Sequence, residues 1–321
     1  MRAMLVLPRL RQPLVLALML LSWAAAAPTA QAAPVQVLGT GVALDPPPGF
    51  VPAQRFSGFE WDAKSASIVV TELEGPAAQM QKGMTREMLA GRGMTLIRSQ
   101  TVRLRGKTAL LVQVSQSAAG TEFLKWMLVA GDAKRTVMIV GTFPKAATDL
   151  TLPIKQAILS ATWGGPVKAT PFEGLAFRAD ATPALKLAGR VGNALVFSES
   201  GSMGQGDPSQ AILVMGSSVS AFAIPSLEQF ARDRATRSTQ VGPLRNIVGR
   251  ALTLDGLPGY EIVAEANDAR TGREVRMYQL VLVEQRTYYL AQGFVSADRA
   301  RLMLPQFRQV TGSFQRARAP R

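Results

Sequence analysis

The sequence runs to 321 residues, and its 36 Lys and Arg against 22 Asp and Glu give a formal charge of +14. It holds neither histidine nor cysteine. That excludes Ser-His-Asp and Cys-His catalysis, disulfides, a lipid-bearing cysteine, and the usual ligand of zinc, copper and haem sites, so no metal or cofactor is expected.

The first segment reads as an export signal. Arg2, Arg9 and Arg11 form a basic head, Pro13 to Ala27 an apolar run, and Ala30-Gln31-Ala32 a small-x-small cleavage pattern. The run is shorter than the roughly 18–20 residues of a spanning helix, with an uncleaved anchor as the alternative. Cleavage after Ala32 predicts a periplasmic chain without a membrane span. Removing the three leader arginines leaves 33 cations against 22 anions, a net +11 spread over both halves of the remainder. This is either a solvated basic surface or attraction to an anionic partner.

The mature chain opens on "ALDPPPGFV", Ala43–Val51. It reads as a corner: proline stops a strand by withholding a donor, and Phe50 tucks under a sheet. Apolar residues that alternate with others or run briefly without a break then mark strands in "LLVQVSQ", "FLKWMLV" and "TVMIVGTF", and "SIVVTELE" is a further apparent strand. Helices are expected near Thr85 and from Pro153, where proline suits a first turn. Links of two to six residues between the strands suit antiparallel hairpins, because parallel strands need a crossover of a dozen or more. "TWGGPVKATPFEG", Thr162–Gly174, breaks the pattern with glycine and proline.

After this break the order repeats. Gly41 answers Gly174, Pro48 and Phe50 answer Pro183 and Leu185, and Ser67 in its strand answers Ala211. Thr85 answers Ser226, which with Gln229 has capping-box spacing. Gly106 answers Gly256, Trp126 answers Tyr278, Gly141 answers Gly293, and Pro153 answers Pro305. Extra loop residues fall in the glycine-rich stretch Glu199–Gln210. The expected fold class is α+β, in two tandem domains that each have a mostly antiparallel sheet flanked by helices. The expected organisation is a signal peptide over 1–32, domains over 33–163 and 172–316, a linker over 164–171, and a basic tail over 317–321.

The residues "LDPPPGFV", "RGKTALLVQV", "FLKWMLVAGD" and "IKQAILSATW" resemble the fold shared by the photosystem II extrinsic protein PsbP, the Ran-binding Mog proteins and the periplasmic DcrB proteins. The likeness covers most of the first copy and, more faintly, the second. It implies a protein that binds other proteins or stabilises assemblies. It brings no shared catalytic motif, so no family site carries across. The chain departs from DcrB-like lipoproteins in lacking the lipidated cysteine, and from single-domain members in being a tandem.

Motifs for chemistry fail on spacing. Gly106-Lys107-Thr108 lacks the glycine a phosphate loop needs at position 101, which is Thr101, and leads into a strand. Ser-x-x-Lys occurs at no lysine, and the glycines around Ser202 and Gly39 match neither a nucleophile elbow nor a dinucleotide fingerprint. Carboxylate pairs are the remaining catalytic route: Glu72 with Glu74 on one strand face, and Asp45 with Glu60 if their strands pair. Arg232, Arg234, Arg237, Arg245 and Arg250 form a basic run. If Ser226 opens a helix, Leu227, Phe230 and Ala231 look inward, while Arg234 and Arg237 share a face at i, i+3. The run is an exposed face or a docking patch for an acidic partner. The expected function is thus a non-enzymatic protein binding an envelope protein partner. The alternatives are a binder of anionic lipid or glycan through a basic face, and a carboxylate-dependent hydrolase. Nucleic acid is a poor partner for an exported chain.

Overall fold

The computed structural model describes residues 34–118, 120–164, 170–203, 210–219, 221 and 223–317. The expected signal peptide, most of the linker, part of the Glu199–Gln210 loop and most of the basic tail lie outside the described residues.

The chain folds as two similar runs of elements. The first comprises β1 (Val35–Gln36), β2 (Val42–Leu44), β3 (Val51–Pro52), β4 (Gly58–Trp61), β5 (Ala66–Glu74), α1 (Ala77–Lys82), α2 (Arg86–Ala90), β6 (Met94–Leu104), β7 (Lys107–Ala118), β8 (Thr121–Gly131), β9 (Arg135–Pro144), α3 (Thr151–Leu159) and β10 (Thr162–Trp163). The second comprises β11 (Phe177–Arg178), β12 (Lys186–Val191), β13 (Ala194–Ser198), β14 (Ile212–Ser217), α4 (Leu227–Thr236), β15 (Arg245–Leu254), β16 (Leu257–Asn267), β17 (Glu274–Glu284), β18 (Thr287–Ser296), α5 (Ala300–Gly312) and β19 (Gln315–Arg316). Each run makes one seven-stranded antiparallel sheet, ordered β3-β4-β5-β9-β8-β7-β6 and β12-β13-β14-β18-β17-β16-β15. The fold is therefore α+β, with two sheets of the same topology.

Local chemistry explains the match. Arg105-Gly106 and Asp255-Gly256 turn the β6–β7 and β15–β16 hairpins, and all four residues have positive φ. Such two-residue turns suit the right-handed twist of the strands. The register of the edge strand breaks at corresponding places, between Leu96 and Arg98 and between Arg245 and Val248. These bulges leave Ile97 and Ile247 exposed. A bulge at a sheet edge twists it away from further pairing.

One helix packs on each of two equivalent glycines, α3 on Gly141 and α5 on Gly293. Trp126 pairs across the strands with Gly141 and Tyr278 with Gly293. Neither glycine leaves room for a side chain: a Cβ would come 2.2 Å from Ile154 Cγ2 at Gly141 and 2.9 Å from Phe307 at Gly293. The missing side chains let α3 and α5 lie close on their sheets. The aromatic partners use their polar atoms to tie those helices down: Trp126 Nε1 donates to the Thr151 carbonyl, and the Tyr278 hydroxyl bonds Thr311 Oγ1.

The corner expected at "ALDPPPGFV" occurs in both halves. The Phe50 N–H donates to the Pro47 carbonyl, as the Leu185 N–H does to that of Thr182. Phe50 and Leu185 are buried in corresponding cores. Gly49 sits flat on Trp61, where a Cβ would come 2.8 Å from the ring.

Three expectations need correction. Ser67 does not answer Ala211: Ile68 pairs with Gly141 and Leu213 with Gly293, so the strands match one residue further on. Leu213 is buried and Ile212 is 39% exposed, as a one-residue slip in a period-two strand demands. Pro305 is not in a first turn but inside α5. The equivalent of its opening turn is the separate 3-10 turn Thr148–Leu150 before α3. The carbonyl freed by Pro305 belongs to exposed Arg301 and faces water. Finally, the first half has two short helices where one was expected. Thr85 caps only the second of them, accepting from the Met88 N–H.

The sheets meet at their short-strand edges. The turn after β3 reaches β14, where Ser217 Oγ donates to the Arg55 carbonyl at 2.7 Å. Conversely, the turn after β12 reaches β5, where Gly192 lies against Thr71. The contact is thus reciprocal between equivalent elements. Arg190 of β12 crosses it by donating to Ser57 Oγ, and is held in place by donating to the Glu173 and Gly192 carbonyls of its own half. Burial pushes the Arg190 guanidinium down to about 10, with Glu173 opposing.

Candidate functional site

Two concave features stand out, one on each half. The first is an open groove of about 520 Å³ lined by Gly49, Val51, Pro52, Gln54, Arg55, Glu60, Trp61, Asp62 and Ala63. It follows from local structure. The corner at Pro47–Phe50 delivers the short edge strand β3, whose Val51 is 58% exposed. Strand β4 carries Glu60 and Trp61 alongside it. Trp61 is held edge-on by Phe50 at 5.9 Å, with Lys64 over its ring at 5.8 Å. Arg55 bonds Glu60 at 3.1 Å and lies 3.8 Å from Asp62. The groove therefore joins an apolar strip to a compensated set of charges.

The second is a smaller cavity of about 190 Å³, likewise open to solvent, on the α4 side of the second sheet, lined by Ala194, Val214, Gly216, Ser217, Arg234, Tyr288, Leu290 and Gln292. It exists because α4 packs over β16 and β17 and leaves β14 and β18 uncovered beside it.

The carboxylate pairs expected from sequence are not set up for acid–base work. Glu72 and Glu74 do share β5, but Glu72 is bonded by Arg135 and accepts from the Gly41 N–H. Asp45 and Glu60 are not brought together. Strand β2 pairs with β1 and β10, whereas β4 pairs with β3 and β5. Asp45 instead accepts nothing at one buried oxygen, and its N–H bonds Ser160.

The structure distributes the five arginines between two faces. Ser226 caps α4 by accepting from the Gln229 N–H. The reciprocal half of the capping box is missing, because the Gln229 side chain turns to Asp233. Ala231 is buried, with Leu227 and Phe230 packed beside it. On this helix Arg232 pairs with Glu228 and lies over Tyr260, whereas Arg234 lies 5.7 Å over the Tyr288 ring. Arg237 is the exposed C-cap. On edge strand β15, Arg245 bonds Asn267. Arg250 lies on the same side of the sheet as Arg245, away from α4, where it and Arg308 of α5 hold the buried Glu261. Burial raises the Glu261 carboxyl, but the two guanidiniums outweigh it and hold the group below its ordinary value.

Sequence reasoning did not find the groove or the cavity. Trp61 was readable only as a core or interface aromatic, and nothing in "VPAQRF" marks Val51 and Arg55 as neighbours of Glu60 across a hairpin. The cavity's signal was present but faint: Gln279 and Gln292 interrupt apolar strand positions.

No protein-family profile and no curated protein matches this chain. The likeness to the PsbP, Mog and DcrB proteins is therefore carried by the quoted strands and corner alone. Among solved structures, similarity is found to LpqN of Mycobacterium tuberculosis, involved in cell envelope biogenesis, at 11% identity over 43% of this chain and 82% of that one, with a TM-score of 0.32. The immunity protein TplEi of the Pseudomonas aeruginosa type VI secretion system, in complex with a peptide, matches at 13% identity over 84% and 98%, with a TM-score of 0.30. A Pseudomonas aeruginosa protein of unknown function, a putative regulator, matches at 14% identity over 40% and 83%, with a TM-score of 0.29. At these scores the neighbours decide nothing about this chain's function. Among the described residues no helix is long and apolar enough to cross a membrane.

Proposed function

We propose that this chain is an exported, non-enzymatic envelope protein that holds a polypeptide partner in the Trp61 groove. The observation that carries this reading is the groove's shape and lining: a trough open along β3, with Val51, Pro52 and Trp61 beside Arg55, Glu60 and Asp62. Small-molecule pockets enclose most of their ligand. An open trough with an aromatic anchor and a polar rim suits a chain segment instead. Glu60 engages Arg55, which leaves the exposed Asp62 as a recognition group. The basic leader with its cleavage pattern supports export.

The test compares the mature chain with Trp61→Ala and Val51→Glu in crosslinking to envelope extract. The second variant changes an exposed position and leaves the Phe50–Trp61 packing alone. Specific crosslinks that survive high salt and weaken about tenfold in both variants are expected. Equal crosslinking by the variants would overturn the groove assignment. Binding that vanishes with salt would point to adsorption on anionic lipid or glycan.

A further inference from the structure

We infer that the cavity beside α4 is a binding site for a carboxylate, with Arg234 as its cationic anchor. The inference goes beyond the Trp61 groove and does not depend on it. Other half-buried arginines are compensated: Arg55, Arg135, Arg232, Arg276 and Arg299 face carboxylates, and Arg190 has three oxygen acceptors. Among the described residues Arg234 makes neither an ion pair nor a hydrogen bond, and its Nε lacks any acceptor although it is closed off from water. An uncompensated buried donor is costly. What holds the side chain there is the Tyr288 ring beneath it.

The sheet around Arg234 differs from the first sheet at two cross-strand pairs that bear on the cavity. Gln279 pairs with Gln292 where the first sheet pairs Met127 with Val140. Gly216 faces Leu290 where Thr71 faces Met138. One change removes a side chain and lets Ala194 close in, where a Cβ at Gly216 would come 2.9 Å from it. The other sets the buried Gln279 behind the half-buried Gln292 of the cavity wall: Gln279 donates to the Ala231 carbonyl at 2.7 Å and accepts from Gln292 at 2.9 Å. That chain orients Gln292, which lines the cavity with Arg234, and leaves it a second N–H to donate. A guanidinium and an amide N–H converging on about 190 Å³ fit a planar carboxylate. The carboxylate can belong to a free organic acid or to an acidic side chain of a polypeptide.

The experiment is isothermal titration of the full mature chain with three probes at matched ionic strength: sodium succinate, a capped pentapeptide with one central glutamate, and sodium chloride. Arg234→Lys, the cavity-filling Val214→Phe, and Arg232→Gln as a control on the same helix are titrated alongside. Val214 is 38% exposed, so the larger ring enters the cavity without displacing core. Binding of succinate or peptide but not chloride is expected, weakened about tenfold or more by Arg234→Lys and Val214→Phe and unchanged by Arg232→Gln. Tighter binding of the peptide would assign the carboxylate to a polypeptide, and tighter binding of succinate to a free acid. A response to chloride equal to that of the carboxylates, or full binding by Val214→Phe, would overturn the site.

Discussion

At the scale of single residues, the alkaline limit of the fold rests on tyrosine. Burial pushes the hydroxyls of Tyr278 and Tyr289 well above their ordinary range, with Glu284 adding to the effect at Tyr289. Both must stay protonated in the folded state, whereas an unfolded tyrosine ionises near pH 10. Their contribution to stability is complete below pH 10 and is lost as pH rises above it, by up to about 1.4 kcal/mol per pH unit for each group. Arg190 acts in the opposite sense: its folded value is lowered to about 10, so the folded state gains relative to the unfolded above that pH. Two tyrosines outweigh one arginine. Urea unfolding at pH 9, 10 and 11 should therefore show falling stability, and tyrosinate absorbance for these two residues should appear only with unfolding. Stability that is flat or rising over this range would refute the assignment.

At the scale of elements, the glycine–aromatic pairs set the spacing between helix and sheet. Gly141→Ala would press a methyl group against the β-branched Ile154, whose χ1 has little freedom to yield. A destabilisation of about 1–3 kcal/mol is expected, read as a lower urea midpoint with an unchanged slope. Elements were also where the sequence was most legible. The period-two strands, the Arg105-Gly106 and Asp255-Gly256 turns and the Thr85 and Ser226 caps all follow from local chemistry that each segment carries by itself. Registers were less legible, because Ile68-Val69-Val70 and Ile212-Leu213-Val214-Met215 are unbroken apolar runs without alternation. Only their pairing to Gly141 and Gly293 decides which residues face the helices. The groove was not legible at all, since it depends on Arg55 and Glu60 meeting across a hairpin. The spread of arginines over two faces escaped the sequence for a related reason: Arg245 and Arg250 lie on a strand where the bulge between Arg245 and Val248 shifts the alternation and brings both to the side that carries Glu265 and Glu261, away from α4.

At the scale of the whole molecule, each half carries its own reporters. Trp61, Trp126 and Trp163 lie in the first half, and the tyrosines at 260, 278, 288 and 289 in the second. The sheets have separate cores, so their cooperation depends on a junction with Arg190 at its centre. Tryptophan emission and tyrosine absorbance should report one urea transition in the native chain. Arg190→Met keeps an apolar stem but removes the donors to Ser57 and to the two carbonyls, and should separate the two midpoints. Coincident transitions in that variant would show that the halves are coupled by something other than this clamp.

The reciprocity of that junction bears on how strong it has to be. Two surfaces that meet through equivalent elements, turn to strand in both directions, form the kind of contact that closes on itself and leaves no complementary face to extend. Separate chains would have to find each other at their prevailing concentration to make it. Tethered within one polypeptide, the same faces meet at an effective concentration of order millimolar. An association too weak to persist between free partners then stays closed. Evolution could leave this seam polar, crossed by the Arg190 bond to Ser57 and the Ser217 bond to the Arg55 carbonyl, and keep the other surfaces of both sheets available to diverge.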